Sequence, residues 1–198
     1  EEILQNRLET RGYFHALVAG DTTEKKRRVS TVYTAAPGPL YRIREVQFPK
    51  DSSDLGRAIA ATAPGTLLKP RNAYNLDVIQ GERTRIDQML KEQGFYYFRP
   101  EFLIAKVDST VGHHQVNLYM EVKPEAPVKA CRIYAVDDIY IYPGFSLNAD
   151  TTHKSGVEFE GYHVIDSNRQ FKPQVFSRTM FFKPGDLYNR REHNLALN

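Results

Sequence analysis

From Gln115 to Lys123 apolar and polar residues alternate without a break: Val116, Leu118, Met120 and Val122 against Asn117, Tyr119, Glu121 and Lys123. A period of two is the mark of a strand with one buried face. Tyr41–Phe48 is a second strand, rich in β-branched and aromatic residues, and its apolar phase slips between Ile43 and Val46, which predicts a bulge near Glu45. Asp51-Ser52-Ser53 supplies N-cap oxygens for a helix to about Thr62, stopped by Pro64-Gly65. A second helix begins near Asn72 or Asn75 and runs to Gln93. Its apolar stripe is Leu76, Ile79, Ile86 and Leu90, with Asp77, Glu82, Arg83 and Lys91 expected on the surface. Gly94 stands where a left-handed C-cap is expected. Phe95–Val107 then reads as a strand, marked as an edge by Pro100, and Asp108–Gly112 turns the chain into the alternating strand. The predicted order is β-α-α-β-β.

The same pattern recurs. LETRGYFHALV at 8–18 matches LKEQGFYYF at 90–98: Leu, three mostly polar residues, Gly, then an aromatic pair. Gly94 follows Gly12 by 82 residues (94 minus 12). APG-TLL at 63–68 echoes KPG-DLY at 183–188, and YRIREVQF at 41–48 echoes CRIYAVDDIYI at 131–141. The echoes keep one cyclic order, which predicts a tandem array. Residues 37–127 form the complete unit. Residues 1–36 are expected to be the end of a preceding one, with strands near Tyr13–Ala19 and Lys26–Ala35. Residues 128–198 are expected to be the start of a third, with Ile133, Ala135, Ile139 and Ile141 on one strand and a helix near Pro173–Phe182. An insertion at about 143–171 separates that strand from that helix and carries a short hairpin around Val157–Ile165. The template places both chain ends inside units.

Composition narrows the class without choosing a function. With 41% hydrophobic and 26% charged residues, the chain has the make-up of a folded domain. A net charge of +3 is less basic than a protein built to neutralise many phosphates. No run nears the ~18 apolar residues of a membrane helix. The single cysteine, Cys131, allows no internal disulfide.

The repeated β-α-α-β-β unit, with LETRGYF at 8–14, YNLDVIQGERTRIDQMLKEQGFYYF at 74–98 and KPGDLY at 183–188, resembles the POTRA domain. The chain is thereby similar to the arm of the Omp85-superfamily (BamA/TamA-like) outer-membrane assembly factors. The resemblance implies an α+β fold of tandem modules, each a three-stranded sheet with two helices on one face. It implies a periplasmic location, partners that are unfolded outer-membrane proteins or accessory assembly subunits, and a parent protein with a C-terminal membrane β-barrel. It implies no enzyme activity and no cofactor. A two-partner secretion transporter carries the same modules and remains an alternative, as does a nucleic-acid-binding array of small α/β modules.

Independently of the resemblance, a small sheet leaves an edge strand with unpaired backbone groups, which can take up an extended peptide by β-augmentation. The candidate edges are Tyr13–Val18, with Tyr13, Phe14, His15 and Leu17, and Tyr96–Ile104, with Tyr96, Tyr97, Phe98, Phe102 and Ile104. Shielding of these edges by neighbouring modules is the competing reading.

Other groups point to structure. His113-His114, near Asp108, lies in a turn and lacks the three or four convergent ligands of a metal site. Asp137-Asp138 is sent to opposite faces by strand alternation, unsuited to paired acid/base chemistry. Lys25–Arg28 (KKRR) reads as a charged strand start that discourages aggregation, with phosphate or lipid-headgroup binding as the alternative. Cys131 is a small buried residue. No catalytic, cofactor or metal site is expected, and no nucleic-acid partner.

Overall fold

The computed structural model describes residues 1–143, 156–166 and 170–197. The chain forms two compact units, Glu1–Asp87 with Arg99–Ala126 and Gln88–Phe98 with Pro127–Asn198.

The first unit opens with α1 (Glu2–Glu9) and an antiparallel hairpin of β1 (Leu17–Lys25) and β2 (Arg28–Ala36). It continues through β3 (Arg42–Gln47), α2 (Asp54–Ala61), α3 (Leu76–Lys91, its end belonging to the second unit), β4 (Leu103–Asp108) and β5 (Gln115–Val122). The expected β-α-α-β-β order is present. Its sheet runs β3-β5-β4, with β5 central, parallel to β3 and antiparallel to β4. The bulge lies where the phase slip puts it: Ile43 faces Val116 and Glu45 faces Asn117, leaving Arg44 as the extra residue.

Local chemistry explains the helix ends. Ser53 caps α2, its hydroxyl oxygen accepting from the Gly56 N–H at 2.9 Å. Asp51 holds Ser53 in place, accepting from its N–H at 3.0 Å and from its hydroxyl, and these bonds keep the Asp51 carboxyl below the usual range. Asn75 caps α3 by accepting from the Asp77 N–H at 2.8 Å. Leu55, Ala58 and Ile59 of α2 and Ile79 and Ile86 of α3 are buried, as are Ile43, Leu103, Val116, Leu118 and Met120 of the sheet. Full burial of each large aliphatic among them contributes roughly 1.5–3 kcal/mol.

The second unit holds β6 (Ile139–Ile141), β7 (Val157–Phe159), β8 (Tyr162–Val164), α4 (Pro173–Thr179) and α5 (Arg190–Leu197). Its sheet order is β6-β8-β7, with β6 parallel to β8. The expected hairpin is present: β7 and β8 pair around Glu160-Gly161, both with positive φ. The remainder of the 143–171 insertion, residues 144–155 and 167–169, lies outside the described residues. The strand expected over 131–141 shrinks to Ile139–Ile141. Val128–Cys131 forms a 3-10 turn, and the backbone of Tyr134 and Val136 is committed elsewhere, to Gly94, Gly185, Asp186 and Tyr188.

One polar residue departs from the surface position expected for it. Glu82 is completely buried. Its carboxylate accepts from the Leu67 N–H at 2.9 Å and from Arg85 Nε at 2.8 Å and Nη2 at 2.7 Å, while Arg85 Nη2 also donates to Thr62 O at 3.0 Å. The pair ties α3 to the loop that follows α2. Burial acts to raise the Glu82 carboxyl, and the bonds from Arg85, Leu67 and Thr66 outweigh it, holding the group below its ordinary value. A depressed carboxyl stabilises the fold above the ordinary carboxylate range, and this stabilisation fades as pH falls through the folded-state value.

Glu82→Gln is expected to lower stability by about 3 kcal/mol, because Arg85 is left without its counter-charge. Urea titrations of both proteins across acidic pH check this, and the gap is expected to narrow as the pH drops.

Candidate functional site

The aromatic residues singled out by the repeat lie in turns. β1 starts at Leu17 and β4 at Leu103, so Tyr13–His15 and Tyr96–Phe98 precede the strands expected to contain them. The two turns share one geometry. Gly12 and Gly94 have φ of +93° and +91°. The next residue donates its N–H back to the helix, Tyr13 to Leu8 O at 3.0 Å and Phe95 to Leu90 O at 3.1 Å. Three residues further on, Ala16 donates to Tyr13 O and Phe98 to Phe95 O, each at 3.1 Å.

Each turn is clamped to a following segment by the same ladder. Gly12 O accepts from Tyr41 N–H at 2.9 Å, and Tyr41 O accepts from Tyr74 N–H at 2.9 Å. In the second unit Gly94 O accepts from Tyr134 at 2.9 Å, and Tyr134 O from Tyr188 at 2.9 Å. The aromatics close over these ladders. Phe14 lies 4.8 Å from Tyr41 and 4.9 Å from Tyr74, centroid to centroid, and His15 Nε2 is 3.1 Å from the Tyr41 hydroxyl. Tyr96 lies 4.7 Å from Tyr188 and Tyr97 5.1 Å from Tyr134, with Lys129 Nζ 4.9 Å above the Tyr97 ring. Phe98 is fully buried. Phe14 meets Tyr74, Tyr96 meets Tyr188 and Tyr97 meets Tyr134 edge to face, as aromatic pairs favour, while Tyr96 and Tyr97 remain exposed.

The clamp also corrects the reading of one repeat. KPGDLYN at 183–189 corresponds to KPRNAYN at 69–75, not to APG-TLL. Arg71 N–H donates to Ile43 O at 2.7 Å and Gly185 N–H to Val136 O at 2.8 Å. Ala73 bridges Arg42 as Leu187 bridges Ala135, and Asn75 and Asn189 each cap the helix that follows. The Lys-Pro-x-x-x-Tyr-Asn spacing was the available signal.

Of the candidate residues, Ile104 lies in β4 and Leu17 in β1, while Phe102 sits in the 3-10 turn at Pro100–Phe102 that leads into β4. Strand β4 is the open edge of its three-stranded sheet. Its inner side pairs with β5, and among the described residues no strand pairs with its outer side. Lys123 donates to Phe102 O at 2.8 Å, which marks Phe102 and Lys123 as a hydrogen-bonded pair. Antiparallel alternation then turns the N–H and C=O groups of Ala105 and Val107 outward, with the C=O of Leu103, whose N–H donates to Pro100 O. The edge of β3 is different, since Arg71 and Asn72 already bond to Ile43.

Beside β4 lies a shallow groove of about 620 Å3, with Phe102, Ile104, Val122 and Pro124 as apolar lining and Lys106, Glu121 and Lys123 among its polar groups. Lys106 Nζ and Glu121 Oε2 are 2.6 Å apart, an exposed pair worth under ~1 kcal/mol. The sheet face carrying Tyr119 is mixed in charge, with Arg42 and Lys106 beside Glu45, Glu121 and Asp108, and the Asp108 carboxyl is held low by its bonds from Thr110.

His113 and His114 occupy a turn with positive φ, the ring of His114 resting 5.5 Å from that of Tyr41. Asp137 and Asp138 are exposed, and Asp138 accepts from the Tyr140 hydroxyl at 3.3 Å. Burial pushes the Cys131 thiol up, away from thiolate chemistry. Among the described residues no three His, Cys, Asp or Glu side chains gather as metal ligands, and no helix is long and apolar enough to cross a membrane.

An α+β module with a β3-β5-β4 sheet, two helices and an open outer strand has POTRA architecture. Among solved structures the chain is similar to the crystal structure of POTRA domains 3–5 of Haemophilus influenzae BamA, with a TM-score of 0.52 and 16% identity, over 98% of this chain and 64% of that one. It thus spans just under two thirds of that structure, and the likeness establishes the fold. It is also similar to POTRA domains 1–3 of Omp85 from Anabaena (TM-score 0.32, 13% identity, 99% of this chain and 67% of that one). A further similar structure is the N-terminal domain of Omp85 from the cyanobacterium Thermosynechococcus elongatus (0.30, 16%, 99% and 68%). No family model and no curated protein sequence matches the chain.

A methyl group on Gly12 would lie 3.0 Å from Tyr74 O, and one on Gly94 2.7 Å from Ile133 Cγ2. With the left-handed backbone added, Gly12→Ala and Gly94→Ala are each expected to lose roughly 1–3 kcal/mol. Chemical denaturation checks this, with Gly112→Ala, where nothing lies within 4 Å, isolating the backbone share.

Proposed function

We propose that this chain is a periplasmic polypeptide-binding scaffold of an outer-membrane β-barrel assembly factor, and that it receives unfolded client proteins or accessory subunits as an added strand on β4. The observation that carries the reading is the unpaired outer edge of β4 beside an amphipathic groove. Backbone groups supply bonds that any extended peptide can make, and the groove accepts alternate side chains of such a strand. A scaffold that serves many clients needs that tolerance. The POTRA fold supports the location and the class of partner.

In the proposed organisation, residues 1–36, 37–127 and 128–198 belong to three successive modules, and the glycine clamps join each module to the next.

A photo-crosslinker placed at Ile104 or Lys106 is expected to capture an unfolded outer-membrane protein, whereas one at Tyr97 is not. Capture at Tyr97 alone removes the β4 assignment. Ala105→Pro deletes an outward N–H while sparing the ladder to β5, since proline is tolerated on an edge. It is expected to weaken peptide binding about two- to tenfold, the loss of one backbone bond, with the folded state retained by circular dichroism.

A further inference from the structure

The hairpin of β1 and β2 ends in four consecutive cations, Lys25, Lys26, Arg27 and Arg28. The register pairs Lys25 with Arg28, so Lys26 and Arg27 alone make the turn. Both have left-handed backbone, φ +48° and +64°. A two-residue turn of that hand favours Asn-Gly, and residues bearing a Cβ are held there at a disadvantage. The tip therefore carries two long cations where turn chemistry alone favours two small residues.

The pairs Thr23–Ser30 and Lys25–Arg28 share one face of the hairpin, and with Lys26 they line a recess of about 360 Å3. Two hydroxyls, two ammonium groups and a guanidinium meet there, and its lining includes no carboxylate. Glu24 pairs with Val29 on the opposite face, and Asp21 lies four residues from Lys25 along the strand. All four cations are exposed, and none is within ion-pair distance of a carboxylate among the described residues. A set of converging donors with unneutralised positive charge is the complement of a phosphate oxyanion.

We propose that this hairpin tip binds phosphate-bearing lipid headgroups and so docks the chain on an anionic membrane surface. The shape selects a surface over a diffusing ion. The two strands are exposed along almost their whole length, and all four cations stand exposed at the turn that joins them. A single phosphate in the recess leaves Arg27 outside, whereas a plane of headgroups meets all four cations together. This inference stands apart from the β4 edge.

The test uses the 198-residue chain and sedimentation with phosphatidylcholine vesicles, with and without phosphatidylglycerol. Binding is expected only to the anionic vesicles and is expected to fall with added salt. The double variant Lys26→Asn/Arg27→Gly installs the preferred turn, so the hairpin is kept and the melting temperature is not expected to fall. Each surface cation contributes roughly a factor of five, so affinity is expected to drop about 25-fold. Lys25→Gln/Arg28→Gln, in the recess, is expected to act similarly. Equal binding to neutral vesicles, or unchanged binding by both variants, overturns the proposal. So does affinity for inorganic phosphate or for RNA without affinity for anionic vesicles.

Discussion

The structure depends on a glycine carbonyl. At Gly12 and again at Gly94 the chain leaves a helix in a left-handed turn, and the freed carbonyl accepts a bond from the backbone of a segment far along the sequence. Both contacts need the missing side chain, since a Cβ at either position would meet atoms of the clamped segment. Once that ladder is set, Phe14 and His15, or Tyr96 and Tyr97, are carried over the partner tyrosines and lie in turns ahead of the strands. The ordered strands begin only afterwards, at Leu17 and Leu103.

The delay determines where the open edge falls. Phe95–Phe98 is folded back into a turn, so β4 is a six-residue strand with one side on β5 and the other without a strand partner among the described residues. Its short length is typical of a managed edge: enough backbone for a guest strand, little for uncontrolled association. The Lys106–Glu121 pair and the neighbouring carboxylates add charge beside that edge, and charge is a second common protection against aggregation. The core behind it is rigid for an independent reason, the buried Glu82–Arg85 pair that fastens α3 to the Thr62–Leu67 segment.

The basic hairpin and the open edge divide the chemistry of the first unit. At the hairpin, in the proposed docking, side chains with uncompensated charge do the recognising, and such recognition is electrostatic and salt-sensitive. At β4, in the proposed function, the backbone does, and only proline removes one of its donors. The two proposals therefore assign the surfaces to different partners and different conditions.

Much was legible in the sequence because it was local. The alternation of 115–122 gave β5, the phase slip gave the bulge at Arg44, and Ser53, Asn75 and Gly94 gave helix ends where short-range hydrogen bonds put them. The repeat of Leu, Gly and paired aromatics foretold the modular fold. Three features depended on partners distant in sequence. The aromatic pairs look like strand residues until Tyr41, Tyr74, Tyr134 and Tyr188 are brought against them. Glu82 looks like a surface residue because only tertiary packing supplies the Leu67 N–H and directs Arg85 across it. The matching of KPRNAYN with KPGDLYN became plain once Arg71 and Gly185 were found making the same backbone bond. Sequence determined which residues could form strands, turns and caps, since those preferences act over a few residues. Tertiary structure decided which edge stayed open, because an edge is free only when every other segment has found its bonds elsewhere.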